Sequence, residues 1–363
     1  MSLIFNELFA IFIFPGRHRH LAGGDGLSLQ GAFMSIRHVI LLAAALALPA
    51  WAAEPLPAFH GDARQSSVSG LSSGAFMAVQ YQVAYSASVV GVGVVAGGPY
   101  YCALGSFAGT AACMSGPPPS AAQLLAAAGI FAAGGHIDPL PNLARSRVYL
   151  FSGSQDNTVK TPVVDSAAAF FRLAGVPDRQ IQYERRLPAG HAQITPTYGN
   201  DCGTTASPYI NHCSWQGQGY DQAGVLLRHI YGPLQPKAQA LGGRVVRFDQ
   251  RPYAAVGSSL ADEGFVYVPK ACEQGEACKV HIALHGCKQY AGAVGDDFYA
   301  HAGYNEWADS NRILVLYPQT TTSAANPQGC WDWFAYTGPA YAWKEGLQMQ
   351  ALKAMADRLV SAR

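Results

Sequence analysis

Gly70-Leu71-Ser72-Ser73-Gly74 is a G-x-S-x-G stretch. This is the pattern of a sharp strand-to-helix turn that exposes a serine hydroxyl at the end of a sheet. Its position in the chain decides the fold. Sheets that carry such a turn ordinarily place several strands ahead of it. Here fewer than about twenty residues separate the serine from the end of an N-terminal export signal. Either the motif is a plain Gly-Ser loop, or the missing strands follow it.

They follow it. Runs at residues 89–96, 147–152 and 181–187 read as strands, and so do runs at 244–249, 264–268, 280–284 and 313–317; residues 66–71 are short and polar but lead into the serine turn and are taken as the strand before it. Helical patterns fall at 75–85, 163–174, 217–231 and 341–359. Four strands from the serine turn onward and four more after residue 243 make the eight of an α/β-hydrolase sheet. The expected fold is therefore α/β: a circularly permuted α/β-hydrolase in which strands five to eight precede strands one to four. Domain termini often lie close together, so such rewiring is physically tolerable. Residues 234–243 could link the halves, but nothing after them reads as a separate module. A single domain over 53–363 is expected.

The 363 residues carry a net charge of +1, are half hydrophobic, and hold only 13% charged residues. Lys and Arg form no strong cluster, which argues against a nucleic-acid partner. Met34-Ser35-Ile36-Arg37-His38, the apolar run 39–48 and Ala50-Trp51-Ala52 have the three parts of a secretory signal, with cleavage expected after Ala52. Residues 34–52 are thus a signal peptide, and 1–33 a possible extension from a misassigned start. The mature chain is expected to be secreted, extracellular or periplasmic, with no membrane attachment after cleavage. A monomer is the expected state.

All eight cysteines follow the cleavage point. An even count in an exported chain implies disulfides. Proximity suggests Cys102–Cys113, Cys202–Cys213 and Cys272–Cys278, which leaves Cys287–Cys330. Eight cysteines allow 105 connectivities, so the pairing stays a reading from proximity. A zinc site is the alternative, disfavoured because no C-x-x-C is present. No metal and no cofactor are expected.

A serine hydroxyl is a poor nucleophile at neutral pH and needs an imidazole base, itself oriented by a carboxylate. In this fold the order along the chain is Ser, acid, His. Asp156 follows the strand at 147–152 and fits the acid; its plain alternative is a turn cap. Asp138 and Asp165 are worse placed. His191, in Ala189-Gly190-His191 after the next strand, fits the base. An oxyanion hole needs two backbone N–H groups: one from Ser73, the other from Cys287 in His285-Gly286-Cys287, which ends the strand at 280–284. A Cys287–Cys330 bridge would bring Trp331 and Trp333 beside this hole, as an aromatic wall or as core packing.

Together, Gly70–Gly74, Gly153-Ser154-Gln155-Asp156, Ala189-Gly190-His191, His285-Gly286-Cys287-Lys288-Gln289 and Gly329-Cys330-Trp331-Asp332-Trp333 resemble the secreted poly(3-hydroxybutyrate) depolymerases with a circularly permuted catalytic domain. The resemblance spans roughly 60–360, and His-Gly-Cys-Lys-Gln is its distinctive element. It implies a Ser72–His191–Asp156 triad, an oxyanion hole from Ser73 and Cys287, and substrate contacts near His285, Trp331 and Trp333. The implied partner is poly(3-hydroxybutyrate) or its oligomers, with no metal or organic cofactor. The chain ends at Arg363 without a linker or polymer-binding module, so soluble oligomers or amorphous polymer are expected over crystalline granules. A secreted carboxylesterase acting on feruloyl, acetyl or other polyester groups is the nearest rival. A non-catalytic polymer-binding protein that keeps the shell is a more distant one.

Overall fold

The computed structural model describes residues 53–362. The readings of 1–33 as an extension and of 34–52 as an export signal lie outside the described residues.

Nine strands form one sheet: β1 (Glu54–Pro55), β2 (Ser66–Leu71), β3 (Val89–Val95), β4 (Arg147–Phe151), β5 (Ile181–Glu184), β6 (Arg244–Asp249), β7 (Glu263–Val268), β8 (Lys279–Leu284) and β9 (Ile313–Tyr317). Their spatial order is β1-β6-β7-β9-β8-β2-β3-β4-β5. All neighbours pair in parallel except on either side of β7, which runs against both β6 and β9. Parallel strands with covered faces read as continuous apolar runs, and β9 is buried along its whole length. That is why β3, β4, β8 and β9 are visible in the sequence, whereas β2, with three serines, is marked only by the turn that follows it. The strand β1, Glu54–Pro55, is an exposed edge pair, too short for any periodic signal.

Six helices matter for the site and its support: α1 (Ser73–Ala84), α2 (Ala121–Ala133), α3 (Thr161–Leu173), α4 (Gln222–Tyr231), α5 (Asn305–Asn311) and α6 (Leu347–Val360). Every residue of α1 is buried; its two glutamines are satisfied there, Gln80 by the Asp332 carbonyl and Gln82 by the Val89 carbonyl and Ser146 Oγ. α4 lies against β3, where a side chain at Gly93 would collide with Leu226.

Two helix readings start too early. The run 217–231 becomes helical only at Gln222, because Asp221 caps that end by accepting from the Gly224 N–H at 3.0 Å. Residues 214–219 instead form a hairpin turning on Gln216 and Gly217, both at positive φ. The run 341–359 turns at Trp343 and Gly346 before α6 begins at Leu347. The segment after His191 also holds a small three-stranded sheet of Gln193–Thr195, Asn200–Asp201 and Ile210–His212.

The ends of the described chain are bonded together. The Phe59 and Gly61 amides donate to the Leu359 carbonyl at 3.1 Å, and the His60 amide to that of Ser361 at 3.2 Å. Arg358 Nε donates to the Leu56 carbonyl at 3.0 Å.

Candidate active site

The register of the parallel strands brings the candidate residues to one edge. Leu284 pairs with Gly70, Leu71 with Val95, Val95 with Phe151, and Phe151 with Glu184. The carboxyl ends of β8, β2, β3, β4 and β5 are therefore level. Ser72 follows β2, Asp156 follows β4, His191 follows β5 and Cys287 follows β8. Ligands of open α/β sheets bind at this edge.

The turn at Ser72 is strained as the motif requires. Its φ is 57° and ψ −122°, a conformation that costs a non-glycine residue about 1–3 kcal/mol and persists only where the surroundings impose it. The surroundings do impose it. The Ser72 N–H donates to the Val95 carbonyl at 2.9 Å, and the Ser72 carbonyl accepts from the amides of Ala75 and Phe76. Both glycines of the motif are fixed by lack of space. A Cβ at Gly70 would strike the Gly74 carbonyl, and one at Gly74 would strike the carbonyls of Leu284 and His285. Gly74→Ala must therefore push α1 off β8. It is expected to lower stability by about 3 kcal/mol, the upper range for overpacking, as read from urea unfolding. A cost below about 0.5 kcal/mol would mean that this contact yields freely.

Asp156 and His191 form a buried pair, with Asp156 Oδ2 2.7 Å from His191 Nδ1. The other oxygen, Oδ1, accepts from the amides of Thr158 at 2.8 Å and Val159 at 3.0 Å. The turn-cap use of this aspartate and its pairing with the histidine thus occur together, one on each oxygen. Since an ionised carboxylate only accepts, Nδ1 carries the proton and Nε2 is left as the acceptor. The His191 N–H is held by Thr205 Oγ1 at 2.9 Å. The competing acids are engaged elsewhere, Asp138 with Lys344 and Asp165 with Arg185.

Ser72 and His191 border one cavity of about 580 Å³. Leu71, Phe76, Phe107, Met114, Trp333 and Phe334 give it an apolar wall, while Thr205, Tyr209, Lys288, Asn326 and Gln328 line it with polar groups. Trp333 stacks on Phe76 with ring centroids 4.4 Å apart, and Phe107 meets Phe334 edge-on at 5.7 Å. None of these partners except Trp333 stands out in the sequence. Phe76 lies one helical turn beyond the serine, a spacing that would have found it. Phe107 and Met114 come from a distant connection with no local pattern.

The oxyanion candidates sit on either side of Ser72. Ser73 opens α1, where an N–H has no acceptor within the helix. Cys287 borders the cavity, and a Cβ at its neighbour Gly286 would lie 3.4 Å from Ser72 Cβ. The amides flanking Cys287 are committed elsewhere, Gly286 to Gln289 Oε1 at 2.8 Å and Lys288 to the Gln328 carbonyl at 2.8 Å.

Two candidates are corrected. His285 does not meet the cavity. It is fully buried, its Nδ1–H donates to the Gly286 carbonyl at 2.7 Å, and its Nε2 accepts from the Thr320 amide at 3.2 Å. It braces the loop that carries Cys287. Trp331 is also fully buried and faces His285, with centroids 5.5 Å apart; its backbone N–H reaches Ser73 Oγ at 3.3 Å. Of the two tryptophans only Trp333 is wall: it stacks on Phe76 and borders the cavity, while Trp331 packs inward beside His285.

The cysteines form Cys102–Cys113, Cys202–Cys213, Cys272–Cys278 and Cys287–Cys330. All eight thiols are consumed, so none is left for the zinc alternative. The last bridge closes the longest loop, across 43 residues. Chain entropy puts its contribution at about 4 kcal/mol. Replacing Cys287 and Cys330 together by alanine is expected to cost that much in urea unfolding. It should also lower ester hydrolysis, because the Cys287 loop loses its anchor; unchanged kinetics would show that His285 and Gln289 hold the loop unaided.

A comparison with protein-family models finds no match. The chain is 45% identical over 319 residues to a poly(3-hydroxybutyrate) depolymerase of Delftia acidovorans, covering 85% of this chain but 62% of that protein. It therefore spans less than two thirds of that relative's length. It is 36% identical over 329 residues to a polyhydroxybutyrate depolymerase of Talaromyces funiculosus, covering 85% of this chain and 94% of the relative. Among solved structures, a serine-to-alanine variant of a PHB depolymerase in complex with an R3HB trimer superposes with a TM-score of 0.79 at 35% identity, covering 84% of this chain and 98% of that one. The PHB depolymerase from Penicillium funiculosum gives 0.78 with the same identity and coverage. With more than two thirds of a 36%-identical relative matched, the chain belongs to the poly(3-hydroxybutyrate) depolymerase family.

Proposed function

We propose that this chain is a secreted serine esterase that hydrolyses poly(3-hydroxybutyrate) or its oligomers. One observation carries the reading: a strained, half-buried serine turn shares a cavity with an imidazole whose Nδ1 is bound to a buried carboxylate. Ser72 Oγ attacks the ester carbonyl while His191 Nε2 takes its proton. Asp156 fixes the tautomer and stabilises the imidazolium. The amides of Ser73 and Cys287 receive the negative oxygen. The C–O bond breaks, His191 returns the proton to the leaving alkoxide, and water repeats the sequence to free the acyl group. The wall of Phe76, Trp333 and Phe334 suits a methyl-bearing aliphatic chain.

The strand order supports a circularly permuted α/β-hydrolase. In sheet order β6, β7, β9, β8, β2, β3, β4 and β5 would be strands one, two, four, three, five, six, seven and eight of that fold, with the antiparallel second strand in its usual place. The four disulfides support an oxidising destination outside the cytoplasm, and among the described residues no helix is long and apolar enough to cross a membrane.

The test is incubation of the mature protein with amorphous poly(3-hydroxybutyrate), following soluble 3-hydroxybutyrate. Release of acid from the polymer is expected. Cleavage of p-nitrophenyl butyrate without attack on the polymer or its oligomers would keep the esterase and overturn the substrate.

A further inference from the structure

Of the described residues that border the cavity, Lys288 alone carries a permanent charge. It is exposed, and among the described residues no carboxylate pairs with it. Its place is fixed by the backbone. Lys288 stands at φ 58°, and its N–H donates to the Gln328 carbonyl. It directly follows Cys287, in a loop that the Cys287–Cys330 bridge ties down. A cation on a flexible four-carbon stem is thus held one residue from a candidate oxyanion donor, in a cavity with no fixed negative charge.

A neutral polyester interior offers such a cation nothing beyond carbonyl oxygens. A chain end does. Every hydroxyacid chain ends in one carboxylate, and hydrolysis makes another at each cut. We propose that Lys288 receives the terminal carboxylate of the leaving chain, so that short acid-ended oligomers are bound with their free acid on the Lys288 side of the scissile ester. The inference rests on the polyester reading above. It adds an end-group preference that the catalytic serine, histidine and aspartate do not provide. In the step concerned, the ester C–O bond breaks, the leaving alkoxide takes its proton from His191, and Lys288 transfers none.

An exposed charge pair supports a preference of about three- to fivefold, reduced by salt. The experiment compares kcat/KM for the (R)-3-hydroxybutyrate trimer as free acid and as methyl ester, at low and high ionic strength, in wild type, Lys288→Met and Lys288→Arg. The acid-to-ester ratio is expected to be about three or more in wild type. It should be kept by Lys288→Arg, and should fall toward the high-salt value in Lys288→Met. Equal ratios in wild type and Lys288→Met would overturn the proposal, and because each ratio is internal to one enzyme, partial misfolding does not mimic the effect. If neither trimer is cleaved while p-nitrophenyl butyrate is, the polyester reading falls and the lysine is judged separately. Inhibition of p-nitrophenyl butyrate hydrolysis by 3-hydroxybutyrate should then be about threefold weaker in Lys288→Met than in wild type, and equal inhibition would reject the carboxylate site.

Discussion

Ser72→Ala is expected to reduce ester hydrolysis by at least about ten-thousandfold while leaving the folded structure and its thermal midpoint essentially unchanged. Removal of the oxygen abolishes the covalent route. What remains is attack by water in a cavity that still binds the ester and still offers the Ser73 and Cys287 amides, and such residual catalysis is typically a small fraction of the whole. The fold should tolerate the change, because the Ser72 side chain makes no capping hydrogen bond to α1. Alanine also keeps the Cβ that the strained turn already accommodates. The measurement is p-nitrophenyl butyrate hydrolysis beside a thermal melt. Activity within about tenfold of wild type, with an intact melt, would remove Ser72 from the mechanism.

The second large effect is on stability, and it comes from histidines outside the proposed catalytic set. His281 lies on β8, beside the nucleophile strand, with both ring nitrogens bonded, Nδ1 to Ser67 Oγ at 2.7 Å and Nε2 to Ser69 Oγ at 2.8 Å. Tyr231 and Tyr304 extend the chain of hydroxyls at each end. Burial pushes the His281 pKa down to about 3 and that of His285 to about 4, from an ordinary 6.5. Both are thus neutral in the fold and protonated readily once unfolded. Their contribution is complete above pH 6.5 and is lost as pH falls from there toward the folded values. Each costs about 1.4 kcal/mol per pH unit over that range. From pH 6.5 to 4.5 the pair should remove about 5 kcal/mol, a large share of the usual 5–15 kcal/mol of a folded domain. Asp332 acts in the opposite sense, since burial raises its pKa. Urea unfolding at several pH values tests the slope. His281→Gln should roughly halve it whatever its effect on absolute stability. A wild-type stability that is flat from pH 6.5 to 4.5 would contradict the linkage.

The parts of this protein legible in the sequence are those with a local chemical reason. The covered parallel strands β3, β4, β8 and β9 are largely apolar and announce themselves. Ser72, Asp156 and His191 follow from chain order, since each must come just after a strand at the same sheet edge. The cysteine pairs follow because three close short loops. What was not legible depends on packing across the chain. Whether Trp331 or Trp333 faces the cavity turns on which ring packs on Phe76 and which beside His285, and the residue types are identical. His285 looks like a site residue, being two positions from Cys287, yet Thr320 claims its ring. The hairpin at 214–219 was hidden because its two-residue strands carry no periodicity.

The bonds joining residues 56–61 to 358–361 allow the backbone to be topologically re-engineered. A few glycine and serine residues could tie these neighbouring ends together, and the loop at 232–243, which crosses no strand of the sheet, could be opened to create new ones. Synthesis would then begin at β6 and finish at α4, with every residue keeping its spatial neighbours. The serine turn would be translated after the sheet's other half rather than before it. Such a variant would separate the order of synthesis from the geometry of catalysis. Equal turnover with altered refolding speed would assign the native order of the chain to folding kinetics alone.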